Sequence, residues 1–145
     1  MVEFISASPE ETSAAGKRIA LHLKNGSVVA LQGTLGSGKT CIAKGIALGL
    51  GITENITSPT YTIINEYLIP YKAGTFYHID VYRLNNNNDF NDLGGPEIIN
   101  SNGISVIEWS DRISQSLPPD AIIISINITG VTSRHIQING LDKLW

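Results

Sequence analysis

A chain of 145 residues with 42% hydrophobic and 16% charged side chains suits a single domain spanning residues 1–145 and is too apolar to be disordered. Ten Lys and Arg against 13 Asp and Glu leave a net charge of −3 with no basic run, so the electrostatic footprint of a nucleic-acid binder is missing. The single cysteine, Cys41, excludes an intrachain disulfide or a cysteine-based metal site, and with no ~20-residue apolar span and no signal-like N-terminus the expectation is a cytoplasmic protein.

Ser8-Pro9-Glu10-Glu11 opens the first helix, with Ser8 as cap, Pro9 at the first helical position and Glu11 completing a capping box. Ala15, Ile19 and Leu23 recur on one face, and Asn25-Gly26 ends the helix. Ser27 to Gln32 reads as a buried strand, Gly33 to Thr40 as a Gly-rich loop, and Cys41 to Leu50 as a helix stopped by Gly51. Thr62 to Leu68 and Thr75 to Asp80 read as strands around a Pro70–Gly74 connection, and the asparagines 85–88 as a solvated loop. Ile104 to Ile107 is a short buried strand ending at Glu108-Trp109. Asp111 to Leu117 is predicted helical up to Pro118-Pro119, and Ala121–Thr129 with His135–Asn139 forms a hairpin across Gly130–Arg134. Strands alternating with helices predict an α/β three-layer sandwich, with a mostly parallel central sheet and an antiparallel edge hairpin.

Gly33-Thr34-Leu35-Gly36-Ser37-Gly38-Lys39-Thr40 satisfies G-x-x-x-x-G-K-[ST] in full. Glycines at 33, 36 and 38 let the backbone curl so that successive N–H groups converge on phosphate oxygens, and the following helix adds its N-terminal dipole. Lys39 reaches the β- and γ-phosphates as a point charge, and the Thr40 hydroxyl ligates Mg²⁺. A chance match of this pattern in such a chain is about 1%, and here the loop also follows an apolar strand and opens a helix. The nucleotide-binding set is therefore Gly33, Leu35, Gly36, Ser37, Gly38, Lys39, Thr40 and Cys41.

Such a loop works with an acid at a strand end and a group that orients the nucleophile. Asp80 and Glu108 both end predicted strands, and spacing does not choose between them. Asp92, in Asp92-Leu93-Gly94-Gly95, follows polyasparagine rather than a strand and is read as loop chemistry. No N-K-x-D guanine reader is present, which favours ATP over GTP. In Ser58-Pro59-Thr60-Tyr61, Pro59 pre-shapes a loop from which Thr60 would offer its hydroxyl as a switch does; an ordinary turn is the alternative. Alternation puts His78 beside Asp80, where it would pair with that carboxylate. Trp109 taken alone reads as a packing residue.

Together, Gly33–Thr40, Ser58-Pro59-Thr60-Tyr61, His78-Ile79-Asp80-Val81-Tyr82-Arg83 and Glu108-Trp109 resemble the TsaE family of small bacterial P-loop ATPases, which serve the threonylcarbamoyl modification of adenosine 37 in tRNA. The resemblance implies that Lys39 and Thr40 hold phosphate and Mg²⁺ and that Thr60 lies in a first switch. It implies that Asp80 is the acid needed for hydrolysis, and that Glu108, with Thr40 and Asp80, belongs to the metal site. Trp109 would belong to a second switch beside the nucleotide, with Thr12 and Arg134 as further nucleotide-side contacts. The implied cofactors are ATP and Mg²⁺, and the implied partners are TsaD-like and TsaB-like proteins of the transfer complex. Two departures stand out: Thr34 replaces the family's loop Asp, and Cys41 its second Thr. Cys41 beside a helix N-terminus and Lys39 allows a lowered thiol pKa, although a packed, inert thiol is the reading preferred. Slow intrinsic hydrolysis is expected, since no arginine finger, worth ~10³–10⁵ in rate, is evident near the loop. A kinase on the same loop, or a non-hydrolysing nucleotide-dependent binding module, are the competing readings.

Overall fold

The computed structural model describes residues 1–34, 36–57, 63–70 and 74–145. Its elements are β1 (Val2–Ser6), α1 (Pro9–Ala20), β2 (Val28–Gly33), α2 (Lys39–Gly49), β3 (Ile64–Leu68), β4 (Thr75–Asp80), α3 (Asn87–Asp92), α4 (Gly95–Ile99), β5 (Gly103–Glu108), a 3₁₀ segment (Ser110–Ser116), β6 (Ile122–Ile128) and β7 (Arg134–Asn139). The strands form one seven-stranded sheet in the order β1-β7-β6-β2-β5-β4-β3. Its centre, β6-β2-β5-β4, is parallel, while β3 and β7 run antiparallel to their inner neighbours. The expected sandwich and the β6–β7 hairpin are both present. A second antiparallel pair, β3–β4, finishes the opposite edge.

Parallel strands covered on both faces carry unbroken apolar runs, and β5 is buried along its whole length. Alternate residues of the sheet feed two cores. Val29, Leu31, Phe76, Ile104 and Val106 pack under α1 and α2. Val28, Ile79 and Ile107 pack with Phe90, Ile99 and Ile113 from α3, α4 and the 3₁₀ segment.

The first helix starts as its sequence predicts. Ser8 Oγ accepts the Glu11 N–H at 3.1 Å, and the Glu11 carboxylate reaches back to the N–H of Ala7 at 2.7 Å. It ends earlier than Asn25, because after Ala20 the chain tightens into i→i+3 bonds as far as Leu23. The structure adds three further details. The N-terminal residues 2–6 form an edge strand on β7. The asparagine tract is solvated at 85, 86 and 88, as expected, but its second half enters a short helix: Asn86 Oδ1 accepts the Asp89 N–H, the Asp89 carboxylate accepts the Asn85 N–H, and Phe90 of that helix is fully buried. The helical stretch expected over 111–117 is a 3₁₀ segment, Ser110–Ser116, with Ile113 drawn out of helical geometry where it enters the core.

Helices α1 and α2 meet backbone to backbone. A β-carbon at Gly16 would stand 2.6 Å from the Ile42 carbonyl oxygen, and one at Gly45 would overlap the Ser13 carbonyl. This contact draws the start of α1 against the start of α2, where the Gly-rich loop ends. Gly45→Ala is expected to lower stability by about 1–3 kcal/mol through overpacking, despite the better helix propensity of alanine. Urea unfolding checks this, and a net gain in stability would show that the helices part freely.

Candidate functional site

The loop between β2 and α2 has the conformation its glycines permit. Gly36 and Gly38 lie at φ +78° and +110°, in the left-handed region. Gly38 caps α2 without a side-chain partner, and no acid sits in the first turn of that helix, so its first amides and dipole face outward as an anion site.

Lys39 opens α2 and is only 5% exposed. Its ammonium donates to the carbonyls of Gly33 and Thr34, at 2.8 and 2.9 Å. The Trp109 ring lies across it, 3.9 Å from Nζ to the ring centroid. Burial pulls the Lys39 pKa down from its usual value, opposed by the charges of Glu108, Asp80 and Asp111. Trp109 achieves this placement at φ +62°, an unfavourable backbone state for a bulky residue. Ser110 fixes the turn by donating to the Leu31 carbonyl at 3.1 Å. Tyr82 also packs on the indole, tilted with ring centroids 4.8 Å apart, with Arg112 over Tyr82. Trp109 is thus a cation–π partner of Lys39 as well as a packing residue.

Asp80 and Glu108 are paired in register at the carboxyl ends of β4 and β5, beside the end of β2. The geometry separates them where spacing did not. Thr40 Oγ1 donates to Glu108, 3.0 and 3.2 Å from its two oxygens. Asp80 instead accepts the Tyr82 N–H at 2.9 Å. Burial raises the Asp80 pKa above the usual carboxylate range, with the Tyr82 bond opposing and Glu108 adding to the rise. His78 does not pair with Asp80 as expected. Its Nε2 lies 2.5 Å from Glu108 Oε2, because the carboxylate at the end of β5 leans back along the same sheet face.

Arg134, at the start of β7, donates to the carbonyls of Ser37 (2.9 Å), Gly36 (3.3 Å), Gly130 and Ser133, tying the loop to the β6–β7 hairpin. Beside it lies a cavity of about 230 Å³ lined by Pro9, Thr12, Gly36, Ser37, Gly38, Cys41, Val131, Thr132 and Arg134. Thr12 lines it with its hydroxyl engaged by Ser6 at 2.7 Å and its methyl toward Gly38. Cys41 donates to the Pro9 carbonyl at 3.2 Å, and burial raises its thiol pKa, in keeping with a packed thiol. Pro9, Val131 and Thr132 were not among the predicted residues; no spacing signals them, since only the hairpin brings 131 and 132 here. Asp92 is exposed at the end of α3, in the opposite layer. Leu35, Thr60 and the rest of Ser58-Pro59-Thr60-Tyr61 lie outside the described residues.

The chemistry of these groups suits a polyphosphate and a divalent cation. Because the Thr40 hydroxyl spends its proton on Glu108, its lone pairs remain for a metal, and a hydroxyl with one or two carboxylates suits Mg²⁺, which keeps waters and phosphate oxygens in its shell. Among the described residues no three His, Cys, Asp or Glu side chains form a complete cage.

The sequence model of the family described as "Threonylcarbamoyl adenosine biosynthesis protein TsaE" matches residues 6–136. The tRNA threonylcarbamoyladenosine biosynthesis protein TsaE of Treponema pallidum is 43% identical over 134 residues, covering 92% of this chain and 97% of the relative. Its Bacillus subtilis counterpart is 41% identical over 143 residues, covering 97% and 86%. The crystal structure of YdiB from Bacillus subtilis matches with a TM-score of 0.79 at 36% identity, over 94% of this chain and 83% of that one.

The raised pKa of Asp80 has a consequence for stability. A folded-state value above the unfolded one adds stability only while the acid is protonated, below its unfolded pKa, and that contribution is lost as pH rises through the folded value. Asp80→Asn keeps the acceptor for Tyr82 N–H and removes the charge. Its Tm at pH 7 is expected to exceed the parent's, with the difference shrinking toward pH ~4, near the ordinary carboxylate pKa. A less stable variant at pH 7 would refute the assignment.

Proposed function

Because the chain belongs to the TsaE family, we propose that it is the Mg-ATP-dependent ATPase of threonylcarbamoyladenosine formation in tRNA, working on a complex of TsaD-like and TsaB-like proteins in the cytoplasm. The observation that carries the reading is the joining of Lys39, Thr40 and Glu108 at the mouth of one Gly-rich loop. The loop amides and the α2 N-terminus bind the phosphates. Lys39 exchanges the Gly33 and Thr34 carbonyls for β- and γ-phosphate oxygens, and the Trp109 ring covers it from water. Thr40 and Glu108 hold the cation, with Asp80 on the next strand completing its surroundings. Bound there, Mg²⁺ neutralises charge on the β- and γ-oxygens. Asp80, with its affinity for a proton raised by burial, orients the attacking water. The cavity between α1, the loop and the β6–β7 hairpin takes the nucleoside.

The acidic balance of the chain, net −3, favours contact with protein partners over direct contact with tRNA. No helix among the described residues is long and apolar enough to cross a membrane.

Turnover of ATP by the purified chain, alone and with a TsaD–TsaB pair, tests this reading. Hydrolysis is expected to be slow alone and faster with the pair. Asp80→Ala should abolish turnover with nucleotide affinity changed by less than about threefold, whereas Lys39→Ala should weaken binding about 10- to 100-fold by losing charge-assisted hydrogen bonds. ATP binding without turnover in either mixture would favour a nucleotide-dependent binding module, with Thr34 in place of the loop acid as its cause.

A further inference from the structure

His78 is fully buried, yet neither the loop motif nor the proposed hydrolysis uses it. It stands on β4 opposite Val106 and two residues before Asp80, so its ring is the diagonal cross-strand neighbour of Glu108. Phe76, buried on the same face, stacks against the ring at 6.5 Å and 29°. The imidazole has one polar contact, Nε2 to Glu108 Oε2 at 2.5 Å, and Nδ1 has no partner among the described residues. A carboxylate only accepts, so Nε2 carries the donated proton in this contact.

Glu108 itself is 3% exposed, and it has two competing neighbours. Thr40 needs it as an acceptor, so that the hydroxyl turns its lone pairs to a cation. Lys39, buried next to Thr40 in sequence, brings the opposite charge into the same space. A carboxylate held at one oxygen by His78 cannot swing freely to the ammonium. We propose that His78 is a positioning residue: its Nε2–H pins Oε2 of Glu108 so that the carboxylate serves Thr40 and the metal instead of closing on Lys39. The inference rests on the reading of Thr40 and Glu108 as the magnesium site.

The test is the affinity of ADP measured calorimetrically across a magnesium titration and again in EDTA, with each variant's folding checked by its thermal transition. His78→Leu fills the space without a donor, and His78→Gln places an N–H near the position of Nε2. His78→Leu is expected to raise the magnesium concentration at half-effect by about 10- to 100-fold, the usual cost of losing an outer hydrogen bond to a metal ligand. Its affinity in EDTA should stay within about twofold of the parent's, and His78→Gln should recover most of the loss. Adding His78→Leu to Glu108→Gln should cost nothing more in the magnesium response, since both act on one carboxylate. An unchanged magnesium titration in His78→Leu would overturn the positioning role. So would equal losses with and without magnesium, or failure of His78→Gln to recover. A parent chain whose ADP affinity ignores magnesium would instead remove the metal site itself, and the inference with it.

Discussion

A carboxylate can be buried only where donors replace the water it loses. Glu108 meets that condition through two donors from two other elements, Thr40 at the start of α2 and His78 on β4. The ends of β4 and β5 and the mouth of the Gly-rich loop are thereby fixed to one another. Lys39, next in sequence to Thr40, enters the same space and is held by the loop's own carbonyls and the face of Trp109. A buried cation and a buried anion thus lie close without a direct hydrogen bond between them, each engaged by other partners. In the proposed function that leaves the ammonium for phosphate and the hydroxyl for metal.

The frame that holds this arrangement works from two sides. On one, glycines 16 and 45 let α1 and α2 approach at backbone distance, which sets the start of α1 beside the loop and brings Pro9, Thr12 and Cys41 to the wall of one cavity. On the other, Arg134 ties the carbonyls of Gly36 and Ser37 to the β6–β7 hairpin. Val131, 97% exposed at the hairpin tip, overhangs the same cavity. A loop rich in left-handed glycines would lose much conformational entropy on ordering; these contacts from both flanks offset that cost. With a nucleotide bound as proposed, they also separate the phosphate side of the site from the nucleoside side.

Features carried by neighbouring residues are legible in the amino-acid sequence. The Ser8 cap, the Gly-rich loop and the apolar central strands each depend on contacts or periodicities within a few residues. Features whose cause lies far along the chain are not. Residues 2–6 become a strand because β7 supplies the ladder. The second half of the asparagine tract enters a helix whose Phe90 is buried in the second core, with Val81, Ile99 and Ile113. Spacing leaves Asp80 and Glu108 equivalent, since both end strands; only the lean of Glu108 toward Thr40 separates them. The expected pairing of His78 with Asp80 follows from alternation along one strand, and the cross-strand diagonal to Glu108 replaces it.

The period of the apolar residues suffices to specify the fold class, and contiguous motifs carry the resemblance to the TsaE family and the position of the Gly-rich loop. Which acid meets Thr40, what covers Lys39 and which surfaces close the cavity beside the loop are settled only in three dimensions. Those are contacts between β4, β5, α1, α2 and a hairpin that are distant in the chain. Their geometry is set by sheet register and helix packing, to which local pattern is blind.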